Sequence, residues 1–164
     1  KGKGANLAMA ATMMRDRFMR GLLAGLIGGI AALAVNLFST EVLKFGDLHF
    51  YEISGVMIFG HLPRGLMQSI FAEIGHIGLS AGVGIALAYL LPKIKTSHLW
   101  VKGAFAGLAV WFAVYAITVL FKVPSVHKTG FPSALTNFLA SVVYGLVTVL
   151  MLRKFDHMAD KTKV

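Results

Sequence analysis

Four polar residues within an apolar stretch of the chain could do chemistry together. Ser69, Glu73, His76 and Ser80 follow the period of a helix and share one of its faces. Glu73 and His76 lie one turn apart, so a carboxyl group and an imidazole can pair or share a proton. The spacing predicts either a proton-responsive or ligand-binding site, or a network of hydrogen bonds between helices that only holds the fold together.

Polar residues in other apolar stretches complete this candidate site, which comprises Glu73, His76, Asn36, Ser80, Tyr115 and Asn137. An ionisable group inside a membrane costs about 2.5–3.5 kcal/mol on insertion scales, so it usually faces the interior of a helix bundle or water. We therefore expect the site to face the interior of such a bundle or water. The orientation predicted below places Glu73, His76, Asn36, Tyr115 and Asn137 in the outer halves of their helices.

The composition places these residues in lipid. The chain of 164 residues is 57% hydrophobic and 14% charged, whereas soluble domains carry about 25% charged residues. A helix needs about 20 apolar residues to cross the hydrocarbon core of a membrane. The sequence predicts an all-α integral membrane bundle of four transmembrane helices, at residues 21–43, 66–91, 103–121 and 131–152.

Three further segments flank these spans. Residues 1–20 mix cations with Met and Phe at helical spacing, which predicts an amphipathic helix on the cytoplasmic membrane surface. Residues 44–65 are too interrupted to span, and we expect an interfacial or a re-entrant segment there. Residues 153–164 are polar and predict a cytoplasmic tail.

The distribution of cations predicts the orientation. If the four spans alternate in direction, twelve Lys and Arg residues fall on one side and four on the other. The positive-inside rule then predicts a multi-pass protein of the inner membrane of a cell, with both termini in the cytoplasm. Because the cations lie in short segments beside the spans, they indicate lipid headgroups rather than nucleic acid as partners.

The spans also resemble one another in pairs, the first with the third and the second with the fourth. The aligned residues are Gly21 with Gly103, Gly25 with Gly107, Ser80 with Ser141, Gly84 with Gly145, and His76 with Asn137. Two parallel helical hairpins, as in some transporters, would explain the likeness. A shared Gly-rich composition is the alternative.

Glycines four residues apart predict that helices approach closely. The pairs are Gly21 and Gly25, Gly78 and Gly82, and Gly103 and Gly107. We expect packing within the chain, with dimerisation as the alternative.

Sequence patterns for cofactor or enzyme chemistry are lacking. The chain has no cysteine, which excludes disulfides and thiolate ligands. The connecting segments hold His49, Glu52, His61 and His127, whose spacing matches no metal site, and a single histidine within the spans disfavours bis-histidine haem. Nucleophile-elbow, His-Glu-x-x-His and phosphate-loop patterns are absent. We therefore predict no catalytic residue, no metal and no cofactor, although bound lipid is expected.

Three motifs resemble those of small four-helix bacterial inner-membrane proteins that have no assigned activity. They are Arg20-Gly21-x-x-Ala24-Gly25-Leu26, Gly75-His76-x-Gly78 and Lys102-Gly103-x-x-Ala106-Gly107. The resemblance covers about residues 20–152 and implies the fold and the location only.

Together these features predict a non-catalytic accessory or structural subunit of a membrane protein assembly. The alternative is a small oligomeric transporter or channel with a proton-responsive polar site. A membrane enzyme or redox subunit that binds lipid or quinone is a third hypothesis. The expected partners are membrane lipids and either other membrane subunits or further copies of this chain.

Overall fold

A computed structural model describes residues 15–91, 97–123 and 129–161. In this part of the chain there are five α-helices and no strand. The helices are α1 (Arg17–Leu37), α2 (Phe50–Phe59), α3 (Gly65–Leu90), α4 (Leu99–Leu120) and α5 (Phe131–Lys161). All except α2 are long and apolar enough to cross a membrane, which confirms the predicted all-α bundle of four spanning helices.

The start of α1 is set by a helix cap. The Phe18 backbone N–H donates to Asp16 Oδ1 at 2.8 Å, which satisfies a donor that the first turn leaves without a partner. The helix therefore begins at Arg17, four residues before the predicted start, and a π-helical turn at Phe38–Val42 extends its other end. Residues 1–14 of the predicted surface helix lie outside the described residues.

The fourth spanning helix continues beyond the predicted bound of residue 152, because α5 runs to Lys161, so the predicted tail begins as a helix. Two contacts explain the extra turns. Ala159 is buried, and Arg20 Nε of α1 lies 3.1 Å from Asp156 Oδ1. The polar composition of residues 153–160 thus reflects a helix whose charged face is exposed while its other face still packs on the bundle.

The long helices stand in an open row, in the order α3, α1, α5, α4. Extensive contacts join α3 to α1, α1 to α5 and α5 to α4, whereas α3 and α4 make almost none. We call the end where α1 and α4 begin the basic end, and the opposite end the far end. Helix α2 lies in the far half of the bundle and packs along the first half of α3. There Phe50 stacks on His76, and Gly55 lies close to Ala72.

Two of these neighbouring pairs are hairpins that pack at equivalent residues. In α1 and α3, a Cβ added to Gly25 would lie 2.9 Å from Ala81 Cα. In α4 and α5, a Cβ on the aligned Gly107 would lie 3.1 Å from Val142 Cα, the residue aligned with Ala81. The internal likeness of the sequence therefore corresponds to the same close approach of backbones in both hairpins.

The third glycine pair behaves differently. A Cβ added to Gly78 or Gly82 would meet no atom within 4 Å among the described residues. The glycine of α3 that touches α1 is instead Gly84, and in α5 the corresponding residue is Gly145. The four-residue spacing alone did not distinguish the inward-facing glycines from the outward-facing ones.

The contact between α1 and α5 has no counterpart on the other side of the bundle. At Gly28, an added Cβ would lie 3.0 Å from the Tyr144 carbonyl oxygen. In the repeat, Gly28 aligns with Val110 and Tyr144 aligns with Val83, and these two valines border a gap between α4 and α3. Gly28 allows the backbones of α1 and α5 to meet, whereas the branched side chain of Val110 occupies the equivalent position on α4. The helices α3 and α4 therefore stay apart.

Candidate functional site

A buried pair of asparagines joins the two hairpins. Asn36 Nδ2 on α1 donates to Asn137 Oδ1 on α5 at 2.8 Å, and Asn137 Nδ2 donates to Tyr115 Oη on α4 at 3.1 Å. Both asparagines are completely buried. Three of the six predicted site residues are therefore brought together, and they satisfy one another by hydrogen bonds.

Asn36 also fixes the start of α2. Its Oδ1 accepts from the Phe50 backbone N–H at 3.3 Å, and its Nδ2 lies 3.4 Å from the Leu48 carbonyl oxygen. A single amide thus bonds to α5, to α2 and to the segment before α2. Inside a membrane these bonds replace those that water would otherwise supply.

Further polar residues close the far end, and the sequence did not single them out. Ser39 Oγ lies 2.8 Å from Thr136 Oγ1, and Ser133 Oγ donates to Asp47 Oδ1 at 2.6 Å. Gly46 packs against Ser133 with φ at +88°, a conformation that suits glycine. The available signal was the polar run on one face of α5, where Thr136 and Asn137 follow Ser133 by three and four residues, about one helical turn.

The gap between α3 and α4 forms a cavity of about 70 Å³. Four predicted site residues line it, namely His76, Ser80, Tyr115 and Asn137. Its other walls are largely apolar or aromatic. A pocket for a drug-sized ligand holds about 300–1,000 Å³, so this cavity has room for a side chain or a few atoms.

Two ring nitrogens at the cavity lack hydrogen-bond partners. His76 Nε2 and Trp111 Nε1 are both buried, and neither bonds to any described residue. The His76 ring stacks on Phe50 with centroids 4.8 Å apart, and the Trp111 ring packs 5.1 Å from Tyr115. Both residues line the cavity, and the ring contacts hold the two side chains in place.

Two hydroxyl groups at the cavity are already occupied. Ser80 Oγ donates to the His76 carbonyl at 3.0 Å, and Tyr144 Oη donates to the Ser80 carbonyl at 2.7 Å. Ser80 therefore holds α3 to α5 and offers no free donor. Trp111 and Tyr144 are cavity residues that the sequence analysis did not select.

The carboxyl group of Glu73 lies apart from this cavity. Glu73 is not among the lining residues, and its Oε1 is buried without a hydrogen-bond partner in the described part of the chain. The hypothetical Glu73–His76 pair is not formed, because the His76 ring lies against Phe50. Nearby on α2, burial and then the carboxylates of Glu52, Glu41 and Glu73 raise the pKa of Tyr51.

The histidine of the far-end connection is held by two carboxylates. His49 Nε2 lies 2.9 Å from Glu41 Oε1, and His49 Nδ1 lies 3.2 Å from Glu52 Oε2. Both ring nitrogens can donate only when the imidazole is protonated. His127, which was considered with His49 as a metal ligand, lies outside the described residues. Among those described, no three His, Cys, Asp or Glu side chains form a group that could hold a metal ion.

Comparisons of the chain with protein-family models, with curated proteins and with solved structures gave no match. The resemblance to small bacterial inner-membrane proteins therefore stays a prediction.

Proposed function

We propose that this protein is a non-catalytic accessory subunit of a membrane protein assembly, and that a transmembrane segment of its partner covers the gap between α3 and α4. We place it in a bacterial inner membrane with both termini in the cytoplasm, on the distribution of Lys and Arg. One observation carries the proposal. Two residues that line the open side of the bundle, His76 and Trp111, carry buried ring nitrogens that bond to no described residue.

The energetics favour an occupant with a hydrogen-bond acceptor. A buried polar group without a partner costs about 1–3 kcal/mol, and hydrocarbon chains offer no acceptor. His76 is eleven residues into α3, or about 16 Å along it, which is far from the headgroups. On a partner helix, a backbone carbonyl exposed beside a small residue, or a polar side chain, would accept a hydrogen bond from Trp111 Nε1.

The outward face of α3 supports the same proposal. Gly78 and Gly82 have open space around them, and Leu79, between them in sequence, borders the cavity and is 52% exposed. Small residues four apart let a second helix approach closely. We therefore assign Gly78 and Gly82 to packing against a partner helix. The other two pairs, Gly21 with Gly25 and Gly103 with Gly107, pack within the hairpins.

Photocrosslinking in the native membrane tests this proposal. A photoreactive amino acid at Leu79 should capture one defined membrane polypeptide. The matched control is Ile30 on α1, which is also exposed (59%) but does not border the cavity. Native mass spectrometry after gentle extraction should find the same polypeptide in a complex. Capture of lipid alone at Leu79, together with a bare monomer, would overturn the proposal.

Replacing the indole tests the role of its N–H. Trp111→Phe keeps an aromatic ring and removes the donor, so association with the partner should weaken roughly 3- to 20-fold, the range of hydrogen bonds between membrane helices. Trp100→Phe is the control, because Trp100 lies at the basic end, away from the gap. Equal effects of the two changes on co-purification would argue against a bond from Trp111.

A small oligomeric transporter is the second candidate, and the polar lining of the cavity favours it. His76, Tyr115 and Asn137 all contact the same space. In liposomes, a transporter should give proton-coupled flux that His76→Ala abolishes. Because Glu73 lies away from the cavity, Glu73→Gln should lower flux less than His76→Ala does. Flux at the rate of protein-free liposomes would remove this candidate.

A further inference from the structure

A large cavity at the basic end is separate from the gap between α3 and α4. It holds about 860 Å³ and is bordered by all four long helices, a size typical of ligand pockets. Part of its wall is apolar, including Ala88, Leu91 and Leu152. Other lining residues are charged, so the cavity has an apolar part and a charged part, as a lipid does.

Three guanidinium groups lie around this cavity, from Arg17, Arg20 and Arg153. Two carboxylates, Asp156 and Asp160, and the imidazole of His98 also line it. Counting Arg and Asp alone, the described lining residues carry one net positive charge. The Arg20 side chain is 12% exposed, and its Nε lies 3.1 Å from Asp156 Oδ1. Arg17 lies over the Tyr89 ring, 5.9 Å from its centroid, and both Arg17 and Arg153 are exposed.

We propose that this cavity binds the headgroup of a monoanionic glycerophospholipid, with the phosphodiester between Arg17 and Arg153. A guanidinium presents two parallel N–H donors that match two phosphate oxygens. The cavity lies at the ends of the helices, which is the depth of the headgroups, and Trp100 beside it is a residue type common at that depth. The apolar wall would take the first carbons of the acyl chains.

The charges predict selectivity among lipids. A single phosphodiester matches the net positive charge of the described lining residues, whereas a doubly charged phosphate would meet Asp156 and Asp160 without enough compensation. A choline headgroup would bring a cation next to the guanidinium groups. We therefore expect phosphatidylglycerol to be preferred over phosphatidylcholine. This inference does not rest on the proposed accessory role.

Lipid retention measured by native mass spectrometry tests the site in the full chain, purified in an uncharged detergent. Phosphatidylglycerol and phosphatidylcholine are added in equal amounts to the wild type, Arg153→Gln and Lys154→Gln. The two variants lose the same charge from neighbouring exposed positions, but only Arg153 borders the cavity. Arg153→Gln should hold phosphatidylglycerol about fivefold more weakly. Lys154→Gln should behave as the wild type.

The other results would each overturn the proposal. Equal losses in Arg153→Gln and Lys154→Gln would mean that general surface charge attracts the lipid. Equal retention of the two lipids would mean that the cavity does not discriminate between headgroups by their charge. Competition by millimolar inorganic phosphate would mean that the groups bind a free anion. Thermal unfolding of both variants without lipid checks that each is folded. If Arg153→Gln does not fold, Arg17→Gln takes its place in the test.

Discussion

Two glycines of α3 lie two residues apart, yet alanine should have opposite effects at them. A Cβ at Gly84 would lie 2.5 Å from Gly25 Cα and 2.6 Å from Gly25 N on α1. A Cβ at Gly82 would meet nothing within 4 Å. Gly84→Ala therefore forces two helix backbones apart, whereas Gly82→Ala fills open space in the isolated chain.

The size of the difference follows from these contacts. Overpacking a well-packed core costs about 1–3 kcal/mol, and here the obstructing atoms are backbone atoms, which cannot turn aside as a side chain can. Alanine is also a better helix former than glycine by up to about 1 kcal/mol, a gain that both variants share. Gly84→Ala should thus be less stable than Gly82→Ala by about 1–3 kcal/mol, or roughly 5- to 150-fold in the unfolding equilibrium constant.

Unfolding of the purified protein by SDS in mixed micelles, followed by circular dichroism, measures this difference. Gly145→Ala repeats the test in the second hairpin, where a Cβ would lie 2.9 Å from Gly107 Cα. If Gly84→Ala were as stable as Gly82→Ala, the backbones of α1 and α3 could not approach as closely as described. If Gly145→Ala alone were tolerated, the two hairpins would not pack equivalently.

Two further predictions use the same unfolding assay. Asn36→Leu and Asn137→Leu, alone and combined, should show a coupling of about 0.6 kcal/mol and no more than about 1.7 kcal/mol, because the two amides bond directly; additive losses would contradict that bond. Glu52→Ala should cost about 0.5–2 kcal/mol, since Glu52 Oε2 accepts from the His49 backbone N–H at 2.7 Å at the start of α2. Glu41→Ala should cost less, because Glu41 is exposed, and equal losses from the two changes would count against the cap.

Some properties of this protein follow from the sequence because they depend on a local pattern. Hydrophobicity over 20 residues is enough to predict the four spans, since each helix satisfies its own backbone hydrogen bonds in lipid. The convergence of Asn36, Tyr115 and Asn137 was also predictable, because polar groups in a membrane need one another. The likeness of Gly25 to Gly107 was visible before their common packing was known.

Other properties depended on which face each helix turns to its neighbours. Gly82 and Gly84 look alike in sequence, and only the contact with α1 distinguishes them. The same holds for Glu73 and His76, because Phe50 from a distant segment stacks on one of them and not on the other. Helical period places residues on a face, but it does not say which helix covers that face or whether any does. The gap between α3 and α4 and the cavity at the basic end arise from the arrangement of four helices, so only the tertiary structure decided them.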